Sequence, residues 1–137
     1  MALDPDILQW TILVIDSDAA NISAADQVLR FYGANVHTAA SGREGLDMLA
    51  HLRPTIILLA ITLPDISGWD VLKAIRGITD KGYLPTIAMA TLYLNNYHEK
   101  LLKAGFDGYI LKPWPVQALI DTINLVATHP SPKNWPY

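Results

Sequence analysis

Short runs that are apolar at nearly every position recur along the chain: TILVID (residues 11–16), TIILLA (55–60) and PTIAMA (85–90). A strand with one wet face alternates apolar and polar side chains, because successive residues point to opposite faces. Runs that do not alternate belong to strands buried on both faces, as in a parallel sheet covered on each side. Between these runs lie segments of helical period. DAANISAADQVLRFYG spaces Ile22, Ala25, Val28, Leu29 and Tyr32 for one helical face and puts Gly33 where a C-cap belongs. SGREGLDMLAHL opens with Ser41 and Glu44 in capping-box spacing and offers Leu46, Leu49 and Ala50 as a buried face. GWDVLKAIRGI (68–78), NNYHEKLLKAG, ending at Gly105, and PVQALIDTINLVAT supply three more helices. ANVHTA (34–39) reads as a less apolar strand nearer a sheet edge, and GYILK (108–112) as a fifth strand. Strand and helix alternate throughout, so the expected fold is α/β with a parallel sheet, each connection crossing over through a helix. Ligands of such sheets sit beyond the carboxyl ends of the strands. The residues to read for function are therefore Asp16, Ser17, Ala60, Ala90, Thr91 and Lys112.

With 137 residues the chain is long enough for one domain with its own core. Hydrophobic residues make up 51% and the formal net charge is −3, which argues against a disordered chain or a nucleic-acid binder working through bulk charge. There are no cysteines, so disulfides and thiolate metal sites are excluded. MALDPDILQW carries two acids and no basic segment, unlike a signal peptide, and no apolar run approaches the ~18 residues of a membrane span. A cytoplasmic single domain is expected, with an N-terminal extension at 1–10, the domain at 11–128 and a proline-rich tail at 129–137. That tail, HPSPKNWPY, is either a loose end or docks Trp135 and Tyr137 on a neighbouring face.

Several stretches, in this order and at these distances, resemble the receiver domain of bacterial response regulators over about residues 11 to 127. ILVIDSDAAN is similar to that family's first strand and acidic turn, and IILLAITLPDISGWDVLKAIR to its third strand, loop and helix. LPTIAMAT is similar to its fourth strand, and KAGFDGYILKP to the approach to its lysine-proline turn. The resemblance implies a flavodoxin-like (βα)5 three-layer sandwich, its parallel five-stranded sheet in the order 2-1-3-4-5. It implies a place in a two-component phosphorelay, where an aspartate at the end of the third strand takes a phosphoryl group from a kinase phosphohistidine.

Carried over position by position, that chemistry is depleted. The phosphoacceptor position holds Ala60. The two acids that hold Mg2+ after the first strand correspond to Asp16 and Ser17. The hydroxyl position at the end of the fourth strand holds Ala90, with Thr91 one residue beyond. Tyr109 matches the switch aromatic, and Lys112 matches the family lysine, with Pro113 after it in an implied cis peptide. A methyl group forms no acyl phosphate, and Mg2+ prefers several oxygen ligands, usually including carboxylates. Binding of Mg2+ is therefore expected to be weak or absent at Asp16, with no cofactor. Lys112 is expected to face Asp16 as an ion pair.

The other candidates carry plainer readings. Ser17 or Asp18 caps the first helix. Asp65 is a loop residue, or a site of rerouted phosphorylation. Trp69 and Trp114 are half-buried packing residues, and His37, His51, His98 and His129 are surface histidines without metal spacing. Leu92, Tyr93, Leu94 and Tyr97 cluster at the start of the fourth helix and are a candidate partner face, since aromatic residues are enriched in interface cores. The resemblance implies signalling and dimerisation through the fourth helix, fifth strand and fifth helix. The expected function is a stand-alone pseudo-receiver, not an enzyme, that meets a histidine kinase or a downstream signalling protein and has no nucleic-acid or membrane partner. The alternatives are a phosphoacceptor with a misaligned site and an anion or small-molecule sensor using the emptied pocket.

Overall fold

A computed structural model describes residues 10–78, 82–91 and 97–128. Among them the chain alternates strand and helix as β1 (Thr11–Ile15), α1 (Ala19–Phe31), β2 (Asn35–Ala39), α2 (Gly42–Met48), β3 (Ile56–Ala60), α3 (Gly68–Arg76), β4 (Thr86–Ala90), α4 (Tyr97–Ala104), β5 (Gly108–Leu111) and α5 (Val116–Thr128). The strands pair in parallel, in the order β2-β1-β3-β4-β5. This is the flavodoxin-like sandwich expected from the sequence.

The two-residue repeat of a strand divides the apolar runs between two cores. Ile12, Val14, Ile56, Leu58, Ile87, Met89 and Ile110 face α1 and α5, where Leu29, Leu119 and Ile123 meet them. Leu13, Ile15, Ile57, Leu59 and Ala88 face the other way, against Leu49 of the α2 end, Leu72 and Ile75 of α3, and Leu101 of α4. β3 and β4 are buried at every position, whereas β2, at the sheet edge, is buried at two of its five positions. Trp10, which the expected boundary leaves outside the domain, packs into the α1/α5 core at 8% exposure.

The helix ends follow local chemistry. Asp18 caps α1, its side chain accepting from the amides of Ala20 and Asn21, and Gly33 follows the helix with φ 97°. Ser41 Oγ accepts from the Glu44 amide at 3.1 Å, while the Glu44 carboxylate accepts from the Ala40 amide at 2.6 Å, one residue before the cap. The expected α2 face needs one correction. Leu46 is half-buried and Leu49 buried, but Ala50 is exposed. The α-helix stops at Met48 and continues as tighter turns, Ala50 N–H to Asp47 and His51 N–H to Met48, which rotate Ala50 off the helical face. Gly68 opens α3 against the backbone of Ala60 and Ile61, too close for any side chain, and its amide donates to the Ile61 carbonyl at 2.7 Å. That contact folds the loop after β3 tightly over the strand end.

Candidate functional site

Strand alternation carries past the ends of the strands and selects who meets at their carboxyl side. Asp16 continues the series Ile12, Val14; Ala60 continues Ile56, Leu58; Lys112 continues Ile110. All three therefore turn toward α1 and α5. The backbone holds the first and last in place: the Asp16 amide donates to the Ala39 carbonyl at 3.0 Å, and the Lys112 amide to the Ala90 carbonyl at 2.7 Å.

Asp16 is 1% exposed, and both of its carboxylate oxygens accept hydrogen bonds. Oδ2 accepts from Lys112 Nζ at 2.6 Å and from Asn21 Nδ2 at 2.6 Å. Oδ1 accepts from the Asp18 amide at 3.1 Å. The ion pair expected between Lys112 and Asp16 is thus present, and Asn21 is a third member that the strand-end reading missed. Asn21 occupies the third position after the α1 cap, from which a side chain reaches back toward the loop as in a capping box. A polar residue at that position was the available signal. The floor of the corner is apolar. Ala60 and Met89 are register partners across β3 and β4, each 1% exposed, and Asn21 Nδ2 lies 3.6 Å from Met89 Sδ.

The remaining expected positions separate. Ser17 is exposed, and the helix cap falls to Asp18. Ala90 is buried at 3% and brings only a methyl group. Thr91 is exposed, on the rim of a cleft of about 400 Å³ that it shares with Asp18, Asn21, Ala24, Lys112 and Trp114. Lys112–Pro113 is a cis peptide, as expected. Tyr109 is half-buried with its ring edge-on to His98, centroids 5.9 Å apart. His98 is therefore not the surface histidine expected. It sits where α4 packs on β5, and spacing alone carried no trace of that contact. His37 and His51 are exposed, and His129 lies outside the described residues. Trp69 and Trp114 are half-buried packing residues, Trp69 edge-on to Phe106. Leu92, Tyr93, Leu94, Trp135 and Tyr137 lie outside the described residues, as does the side chain of Tyr97.

Asp65, in the loop after β3, accepts from the first amides of α2: Gly42 N–H at 3.0 Å and Arg43 N–H at 2.8 Å. The Arg43 amide first, with those of Ile66 and Gly42 adding to it, holds its carboxyl below the ordinary value against the opposing effect of desolvation. Asp65 thus fastens the loop to the N-terminus of α2, where a negative charge also suits the helix dipole. At the other end of the sheet Asp107 is fully buried between Arg76 Nη2 at 2.9 Å, the Thr86 amide at 2.8 Å and the Tyr83 hydroxyl. Burial pushes the Asp107 carboxyl up, and these donors pull it back. Its distance from the strand carboxyl ends makes this network a structural tie. Among the described residues no group of three or more His, Cys, Asp or Glu is arranged to hold a metal ion, and no helix is long and apolar enough to cross a membrane.

A family model described as the response regulator receiver domain matches residues 12–124. The polar-differentiation response regulator DivK of Brucella anthropi is 26% identical over 113 residues, which cover 82% of this chain and 92% of that protein. A protein of Oryza sativa subsp. japonica named "Probable histidine kinase 4" is 28% identical over 138 residues, covering 85% of this chain but 14% of that much longer one. Among solved structures, a CheY-like response regulator receiver domain protein from Methanospirillum hungatei superposes with a TM-score of 0.78 at 28% identity, covering 87% of this chain and 94% of that one. The chemotaxis response regulator CheY4 of Vibrio cholerae gives 0.78 at 24% identity, covering 83% and 95%, and shares the fold.

Proposed function

We propose that this chain, which belongs to the response regulator receiver domain family of two-component signalling, acts there without accepting a phosphoryl group at its third strand. The observation that carries this reading is Ala60: the strand, loop and helix that would present an aspartate are intact, and the position ends in a buried methyl group. Neither Ser17, exposed, nor Ala90, without a hydroxyl, supplies the missing oxygens. Asp65, the acid of that loop, has both carboxylate oxygens on α2 amides, which speaks against rerouted phosphorylation.

Mg2+, which the family implies, does not fit the residues present. The cation needs near-octahedral oxygen ligands, and the one buried carboxylate of the corner already takes an ammonium and an amide N–H. No step of the function is routed through a metal. The chain works as a cytoplasmic protein-interaction module rather than an enzyme, and meets a histidine kinase or a downstream signalling protein. The surface for that contact is α4, β5 and α5, where the side chain of Leu102 is 37% exposed beside the His98–Tyr109 pair. The same face serves a homodimer if one forms, and neither nucleic acid nor membrane is a partner at this net charge. Incubation with acetyl phosphate and Mg2+, followed by intact mass, tests the reading. The mass stays unchanged, whereas a hydroxylamine-labile phosphoryl adduct refutes it.

The cleft beside Trp114 favours a second reading, a sensor of a small molecule. Its volume lies in the range of ligand sites, and a few polar groups converge on mostly apolar walls. A simple anion is the poorer occupant, because Lys112 is already paired with Asp16. Quenching of Trp114 fluorescence by a cell extract fraction, absent in Trp114→Phe, supports this alternative.

A further inference from the structure

We infer that Asn21 sets the refusal of hard cations by this corner, its amide group and the Lys112 ammonium together filling the place a cation would take beside Asp16. Two donors converge on Oδ2 at 2.6 Å each, and the Asp18 amide takes Oδ1 at 3.1 Å. A metal ion must displace one of the two donors to reach Oδ2. Once there it meets no further carboxylate on the strands: the neighbours are the Ala60 methyl and the Met89 thioether, a soft ligand unsuited to Mg2+. Asp18, the other acid of the cleft, turns its Oδ1 to the amides of Ala20 and Asn21.

Asn21 and Lys112 are not equivalent in this respect. Lys112 brings charge on a long stem, its backbone held at β4 and its Nζ on Asp16. Asn21 has a short side chain on the first turn of a capped helix, so fewer torsions separate its amide from a fixed backbone. Its donor end must face the carboxylate, because a carbonyl oxygen in that position would repel Oδ2. The inference rests on the reading that the metal-dependent chemistry has been abandoned, and names the side chain that keeps the pocket closed to cations. It also predicts that an aspartate in place of Asn21, facing Asp16 across the same short distance, reopens the site.

Terbium is the probe, since it binds hard oxygen ligands and its luminescence is sensitised by a nearby indole, here Trp114. Wild-type protein does not saturate at millimolar Tb3+. Asn21→Asp binds at least about tenfold tighter and releases Tb3+ to Mg2+, because ligand charge sets affinity at such sites. Asn21→Ala, which removes the donor without adding a ligand, binds more tightly than wild type by a smaller factor. Circular dichroism establishes that each variant is folded. Equal affinity in wild type and Asn21→Asp overturns the inference. So does weaker binding by Asn21→Ala, which would make Asn21 a ligand rather than a barrier. The Asn21→Asp signal falls on adding Trp114→Phe, and a signal that persists unchanged puts the ion elsewhere and overturns it too. The acetyl phosphate experiment is independent: a phosphoryl adduct there refutes the proposed function, whatever the terbium result.

Discussion

Single positions decide the chemistry of this chain, and each can be interrogated alone. Ala60 is 1% exposed and borders Asp16, Met89 and the tight loop at Gly68. Ala60→Asp places a second carboxylate in a dry corner that holds one already. The expected cost is about 1–3 kcal/mol of stability without metal, measured by urea unfolding. Asp65 gives a pH signature. Its carboxyl is held below 3.8, chiefly by the Arg43 amide, so folding favours the ionised form. That contribution is present above pH 3.8 and disappears as pH falls below it. Asp65→Asn therefore lowers the melting temperature at pH 6, speeds amide exchange at Gly42 and Arg43, and melts nearer to wild type at pH 2.5. A gap that widens toward low pH would contradict the assignment. Ala60, Asp16 and Lys112 were legible as single letters, because strand alternation and strand ends locate them without a structure. Asn21 was not, because its contact depends on how α1 docks against β1.

Elements were legible where pattern and cap agree and blurred where a helix changes pitch. Ser41 and Glu44 marked the start of α2 correctly, but the apolar spacing of Leu46, Leu49 and Ala50 did not reveal the tighter turns after Met48. The junction between α3, β4 and β5 was invisible in the sequence. Arg76, in the last turn of α3, donates to the carbonyls of Leu84 and Gly105, both at 2.7 Å, and pairs with buried Asp107. Its guanidinium also stacks 4.7 Å from the Tyr83 ring centroid. Arg76→Met keeps the stem and removes the charge, leaving Asp107 buried without its cation. The expected loss is about 3 kcal/mol at pH 7, because an orphaned buried charge costs more than the pair contributed. Burial already raises the Asp107 carboxyl, and losing Arg76 raises it further. Protonation then neutralises the charge, so the variant recovers part of its stability as pH falls toward 4. Denaturant titration at both pH values checks the sign.

At the scale of the whole molecule, helices cover both faces of the sheet, and the Asp16 corner lies at the carboxyl ends of its strands. The Asp16–Lys112–Asn21 corner is closed by internal donors, so the fold has no need of an ion to relieve packed carboxylates. Thermal unfolding should accordingly be indifferent to Mg2+. At ~10 mM the melting temperature moves by less than about 1 °C, whereas a site with micromolar affinity would raise it by several degrees through mass action. A large metal-dependent rise would mean that the corner opens in solution.

The amino-acid sequence by itself determined the strand and helix order, the burial of β3 and β4, the parallel sheet and the alanine, Ala60, that closes β3. All of these follow from short-range periodicity and from the identity of residues at strand ends. The tertiary structure alone decided that Asn21 shares Asp16 with Lys112, that Asp65 is spent on the α2 amides, that His98 packs on Tyr109, and that Arg76 ties three elements through Asp107. Each of those contacts joins residues from different elements, and its existence turns on shifts of an ångström or so in how a helix rests on the sheet. Hydrogen bonds tolerate no larger error, and no periodicity in the chain encodes a distance that fine.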